Sequence, residues 1–256
     1  MKIKQIKQCV IIGAIALMAL YFATSAIASQ EKAAQDRPAA QGEKNAEEVY
    51  KNVQVLKGVP ARRFIGMMRT FARSLGVECS FCHVQGAFDS DEKPQKQTAR
   101  KMIQIVHVAN RELGADKVSC YTCHRGHEEP ERMPEALRPT EEQRQKAAQD
   151  TRPAEEAFKN IQSFKGRTAG QLLLAMSSFT KALGVDCNYC HVAGAFDKDD
   201  KPAKLMARKM LAMSGAITKE VFNGKGGIGC YTCHKGQTQP VSTPPAPSDA
   251  EKKSDD

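Results

Sequence analysis

Leu75-Gly76-Val77-Glu78-Cys79-Ser80-Phe81-Cys82-His83 decides the architecture, because the stretch returns as Leu183-Gly184-Val185-Asp186-Cys187-Asn188-Tyr189-Cys190-His191. Outward from it, at the same offset of 108, Ala46-Glu47-Glu48 meets Ala154-Glu155-Glu156 and Gly86-Ala87-Phe88 meets Gly194-Ala195-Phe196. Ala99-Arg100-Lys101-Met102 likewise meets Ala207-Arg208-Lys209-Met210. Beyond residue 212 the offset becomes 110, through two extra residues in the Asn223-Gly224-Lys225-Gly226-Gly227 loop. Cys120-Tyr121-Thr122-Cys123-His124 then returns as Cys230-Tyr231-Thr232-Cys233-His234. The chain is a tandem duplication. Repeat A covers 45–129, a polar and partly helical connector 130–152, and repeat B 153–237.

Within each repeat the apolar period is helical. Pro60 can open a helix whose face carries Phe64, Met68, Phe71, Ala72 and Leu75 before Gly76 stops it. The counterpart carries Leu172, Met176, Phe179, Thr180 and Leu183 before Gly184. A second helix is expected from about Gln97 to Leu113, and its partner from about Lys204 to Phe222. No strand-length alternation stands out, so the expected class is all-α with extensive irregular chain and pseudo-twofold symmetry between the repeats.

The four Cys-x-x-Cys-His segments carry the chemistry. Two thiols one helical turn apart can add to the two vinyl groups of a haem, and the adjacent histidine then reaches the iron. Zinc would explain paired cysteines but not a histidine in this fixed place, and a redox dithiol would sit in a βαβ context that is missing. Four of the six histidines directly follow a Cys-x-x-Cys. Four covalent c-type haems are therefore expected, on Cys79 and Cys82, Cys120 and Cys123, Cys187 and Cys190, and Cys230 and Cys233. His83, His124, His191 and His234 would be the first axial ligands.

For the sixth iron position the duplication separates candidates. Met68 and Met176 each lie eleven residues before their first motif cysteine, and Met102 and Met210 are methionine in both copies. Met67 aligns with Ala175, Met206 with Thr98 and Met213 with Ile105. Met68, Met102, Met176 and Met210 are thus the expected ligands, the alternative being gap-filling core methionine. His107 aligns with Gly215 and His127 with Gln237, so neither belongs to the repeated design, which favours surface or packing histidines over ligands. Arg100 and Arg208 read as solvated rather than as propionate partners.

Lys2, Lys4 and Lys7, an apolar run to Ala23 and the small Ala26-Ile27-Ala28 form the layout of a secretory signal. Cleavage after Ala28 is expected over retention as an anchor, since the run falls short of the roughly 20 residues that span a bilayer. The mature chain then has 228 residues, eight cysteines, all in the motifs, and a net charge of +6. Residues 29–44 and the Pro-rich charged tail 238–256 are expected to be flexible. Export and the lack of a concentrated basic run argue against nucleic acid. With no Trp and few aromatic residues, the chain needs another source of core, which four porphyrins would supply.

Over residues 45–237 the pattern of a Met-bearing helix followed by Cys-x-x-Cys-His, four times, resembles the tetrahaem cytochrome subunit of photosynthetic reaction centres and related duplicated cytochromes of non-phototrophic bacteria. The resemblance implies His/Met haems in a chain, passing electrons to a membrane-bound redox complex. Met68, Met102 and Met176 match the family's ligand positions for the first three haems. The family's fourth haem takes a histidine from the first half of the chain. Here Met210 occupies the matching helix, His107 is not at the family's spacing, and the lipid-anchor cysteine of some members is absent. The expected function is periplasmic electron transfer with a membrane-bound complex or small soluble carriers, with peripheral membrane association and a role in photosynthesis left open. The alternative is a peroxidase or small-nitrogen-oxide reductase with one open iron.

Overall fold

The computed structural model describes residues 43–245. The signal at 1–28, most of the segment at 29–44 and the end of the tail lie outside the described residues. The described chain is helical, with four isolated β-bridges and no strand.

Repeat A comprises α1 (Ala46–Val49), α2 (Ala61–Leu75), α3 (Cys79–Cys82), α4 (Pro94–Leu113) and α5 (Cys120–His124). Its counterparts are α7 (Ala154–Ala157), α8 (Ala169–Leu183), α9 (Cys187–Cys190), α10 (Pro202–Glu220) and α11 (Cys230–His234), and α6 (Glu141–Gln149) lies between the repeats. Bridges repeat as well: Asn45 with Pro60 becomes Pro153 with Thr168, and Val84 with Ala87 becomes Val192 with Ala195. This is the all-α tandem duplication that the sequence predicts.

Helix α2 ends as expected. Gly76 turns left-handed at φ 67° and the Val77 amide donates back to the Ala72 carbonyl at 3.1 Å, which satisfies an otherwise orphaned acceptor. Phe64, Met68, Phe71, Ala72 and Leu75 are half-buried, whereas Arg63, Arg69 and Arg73 are exposed. Helices α4 and α10 start earlier than expected, with Pro94 and Pro202 in the first turn, where a missing N–H costs nothing. Helix α10 stops at Glu220, two residues early, because the glycine-rich loop folds back on its last turn. The Gly224 amide donates to the Thr218 carbonyl at 2.9 Å, and the Thr218 hydroxyl to the Gly226 carbonyl at 3.2 Å.

The two repeats meet mainly along α4 and α10. Ile105, Val108, Ala109 and Ile217 form the buried centre of that contact, flanked by Met102, Met213, Val118 and Phe222. Arg111 closes one end on Glu220 at 2.6 and 3.1 Å, and the Lys209 ammonium donates to the Leu113 carbonyl at the C-terminus of α4, at 2.8 Å. The connector is not loose. Thr140 caps α6, which packs on α8, where Gly170 admits the Ala147 carbonyl against its backbone.

Each second motif docks on the first long helix of its own repeat. The Gly126 amide donates to the Ser74 carbonyl at 2.9 Å, and Gly236 to Ala182 at 2.8 Å. Among the described residues, no helix is long and apolar enough to cross a membrane.

Candidate haem sites

Every Cys-x-x-Cys is a single helical turn, which sets its two thiols on one side. The local causes differ. In α9 the Asp186 carboxylate accepts the Asn188 amide at 2.9 Å, and in α5 the Ser119 amide donates to the Thr122 hydroxyl at 2.9 Å. His83 and His191 follow their turns in extended backbone, whereas His124 and His234 close theirs and are followed by left-handed Arg125 and Lys235.

All four motif histidines are held by the same nitrogen. Nδ1 of His83 bonds the Phe88 carbonyl at 2.8 Å and Nδ1 of His191 the Phe196 carbonyl at 2.9 Å. His124 does so with the His127 carbonyl at 3.0 Å, and His234 with the Gln237 carbonyl at 2.9 Å. A carbonyl can only accept, so Nδ1 carries a proton, and in the neutral ring Nε2 then presents a lone pair. That tautomer, anchored by an outer hydrogen bond, is the one a metal-ligating histidine needs. Burial also pushes His234 below its usual range, which favours the neutral ring.

Burial pushes the thiols of Cys82, Cys120, Cys190 and Cys230 up, as expected of uncharged groups. The structure brings the second and fourth motifs together across the repeats, with Sγ of Cys123 2.8 Å from Sγ of Cys233. Donation from the Cys123 thiol, reinforced by Arg125 and Lys235, holds Cys233 down. Arg125 also donates to the Cys233 carbonyl at 3.2 Å, and its buried Nε has no hydrogen-bond partner among the described residues. Lys235 is buried beside it, 3.7 Å from Glu131.

Of the methionines, Met68, Met176 and Met210 are half-buried, and Met102 packs on the α4/α10 core together with Met213. Met206 is exposed, as are His107 and His127. Large apolar side chains lie open beside the motifs: Phe88, Tyr189 and Phe196 are each about half exposed, as are Ile65 on α2, Leu173 on α8 and Leu205 on α10. Paired thiols, imidazoles fixed in the ligating tautomer and apolar walls fit a covalently held porphyrin.

One sequence reading is corrected. Arg100 is not solvated: it is buried and grips Asp91 with both terminal nitrogens at 2.9 Å, while reaching the Asn52 carbonyl at 3.4 Å. Arg208, half-buried, follows the pattern with one terminal nitrogen on Asp199 at 2.7 Å and the other on the Asn160 carbonyl at 3.3 Å. The guanidinium holds Asp91, and likewise Asp199, well below the usual carboxylate range. Sequence reasoning also missed Lys96 and Lys204, which enter the same clusters at 3.2 and 3.0 Å. A signal was present, because Asn52, Asp91, Lys96 and Arg100 all return 108 residues later.

The family model described as photosynthetic reaction centre cytochrome C subunit matches twice, over residues 18–145 and 132–254. The photosynthetic reaction center cytochrome c subunit of Thermochromatium tepidum is 30% identical over 186 residues, 59% of this chain and 46% of that protein. Its counterpart in Roseobacter denitrificans is 26% identical over 266 aligned residues, covering 78% of this chain and 71% of that protein. Cytochrome c-554 of Chloroflexus aurantiacus is 38% identical over 81 residues, 28% of this chain and 20% of that protein. The alignment thus spans about half the length of the first of these relatives. With one match on each copy of the repeated unit, the chain belongs to the photosynthetic reaction centre cytochrome C subunit family.

Proposed function

We propose that this chain is a periplasmic tetrahaem c-type cytochrome that carries electrons to or from a membrane-bound redox complex, and that it is not an enzyme. The observation that carries the reading is the common anchoring of His83, His124, His191 and His234 through Nδ1, which leaves four Nε2 atoms free to bind iron. Each motif's two thiols would form the thioether bonds. Met68, Met102, Met176 and Met210 would close the opposite faces. When bound, each haem supplies a reversible one-electron ferric/ferrous couple, and a thioether opposite imidazole raises its potential.

The chain's own residues do the rest. The Phe88, His127, Phe196 and Gln237 carbonyls fix the imidazole planes. The closeness of Cys123 and Cys233 supports this reading, since it would bring the second and fourth attachment points side by side, as a relay through both repeats requires. With a histidine and a methionine both bound, the iron would have no position left for a substrate, which would separate a carrier from a peroxidase or nitrogen-oxide reductase. For the fourth site Met210 is favoured over His107, since Met210 is half-buried on α10 and His107 lies on the exposed side of α4.

Intact mass after expression with a cytochrome c maturation system tests the reading. Four haems on a chain beginning after Ala28, all low-spin in the resting ferric protein, is the expected result. Fewer haems, or a high-spin ferric signal, would overturn it. Met210→Ala should perturb one haem of four, and His107→Ala none. The reverse outcome would return the fourth site to a ligand from the other repeat.

A further inference from the structure

The loop after each first motif, Phe88 to Asp91 and Phe196 to Asp199, brings a second donor to the carbonyl that anchors the histidine. The Phe88 carbonyl accepts Nδ1 of His83 at 2.8 Å and also the Lys96 ammonium at 3.0 Å. In repeat B the Phe196 carbonyl accepts Nδ1 of His191 at 2.9 Å and the Lys204 ammonium at 2.8 Å. Both lysines are fixed by further bonds. Lys96 donates to the Ser90 carbonyl at 2.8 Å and pairs with Asp91 at 3.2 Å. Lys204 donates to the Lys198 carbonyl at 2.7 Å and pairs with Asp199 at 3.0 Å. Each side chain is 11% exposed. A lysine stem folded inward to reach carbonyls in both copies is expensive for a residue that could extend into water.

We propose that Lys96 and Lys204 are tuning residues that raise the reduction potentials of the haems held by His83 and His191. This rests on the haem reading above and specifies how the polypeptide acts on two of the four sites.

A carbonyl oxygen that already accepts a bond from an ammonium is a weaker acceptor for Nδ1–H. The imidazole then keeps less anionic character and donates less to iron, which disfavours the ferric state; the outer partner of a histidine ligand sets its basicity in this way. Charge acts in the same direction. In each cluster two cations share one carboxylate, Lys96 and Arg100 with Asp91 or Lys204 and Arg208 with Asp199, so the paired groups together carry one net positive charge. A fixed cation in a shielded position opposes the extra positive charge of ferric iron.

The test uses the fully matured protein and a haem-resolved redox titration with optical and EPR detection. Lys96→Met should lower the midpoint of one haem and Lys204→Met that of another, while the remaining haems serve as internal references. Lys96→Gln retains a donor without the charge and should still lower the midpoint, whereas Lys96→Arg should restore it. In the ferrous protein the Nδ1–H proton of His83 should move downfield in Lys96→Met, because its bond to Phe88 strengthens. Four attached haems with unchanged midpoints in the neutral variants, or an upward shift, would overturn the proposal. Loss of the first haem in both Lys96→Met and Lys96→Gln would make Lys96 a packing residue of the loop, which also overturns it. A wild-type mass lacking four haems would instead sink the haem reading.

Discussion

Gly76→Ala separates two reasons for a glycine at the end of α2. Its φ of 67° alone costs a residue with a Cβ roughly 1–2 kcal/mol. A Cβ there would also stand 2.2 Å from the Gly126 carbonyl oxygen, a backbone atom that can yield only if the α2 end and the turn after His124 move apart. Such overpacking adds about 1–3 kcal/mol. Separation would also weaken the 2.9 Å bond from the Gly126 amide to Ser74, worth about 1 kcal/mol. The total is about 3–6 kcal/mol, a large share of the roughly 5–15 kcal/mol that a domain commands. Gly114→Ala is the control, since Gly114 also ends a helix, at φ 68°, but has open space where its Cβ would go. Guanidinium unfolding of the haem-loaded protein, followed by far-UV circular dichroism, should show Gly76→Ala losing clearly more than Gly114→Ala. Equal losses would refute the claim that the two backbones are packed in contact.

The same logic in the connector makes Gly170→Ala push the Ala147 carbonyl away from a Cβ 1.8 Å distant, so limited proteolysis should cut within 130–152 faster than in the parent. Acid should loosen both repeats through Asp91 and Asp199. Their folded-state pKa values are depressed, chiefly by Arg100 and Arg208, so their contribution is present above the unfolded carboxylate value of about 4 and fades as pH falls below it. A pH series of unfolding midpoints should steepen there in the parent and flatten in Asp91→Asn/Asp199→Asn, and an unchanged profile would remove the two clusters from the acid response.

The duplication, the helix faces and the glycine stops were legible because each is written in local spacing. Met68 and Leu75 sit on the half-buried side of α2 because an apolar stripe at helical period must face something. What stayed hidden were partners far apart in sequence. Arg100 looks like one more cation on a helix until Asp91 and the Asn52 backbone fold onto it. Gly76 reads as a helix stop, and its second role needs Gly126 in three dimensions. The early start of α4 was present in Pro94, but the apolar period begins later and drew the expected boundary to Gln97. Offset matching could have found the clusters, since ionic residues kept at identical places in both copies had no local task.

The polypeptide's own core explains why the motifs and the fold are not separable. Of the buried apolar residues described, Ala46, Ala109, Ala154, Ala169 and Ala182 bury little area, and of the larger ones Ile105, Val108 and Ile217 gather where α4 meets α10, while Leu56, Leu113 and Leu172 lie outside that cluster. That contact can hold the repeats together, but the half-exposed Ile65, Leu173, Leu205, Phe88 and Phe196 are not among the side chains packed on it. At roughly 25 cal/mol per Å2 of apolar surface removed from water, covering those side chains is worth more than any surface ion pair in the molecule. On the haem reading the porphyrins provide that cover, and they do so from covalent positions one helical turn long, which have little reason to be helical alone. The struts repeated in both copies, Arg100 on Asp91, Lys96 on Phe88, Gly126 on Ser74, then share one task. They hold a short turn and its histidine in place, so that the cofactor completes the core and the polypeptide keeps control of the iron.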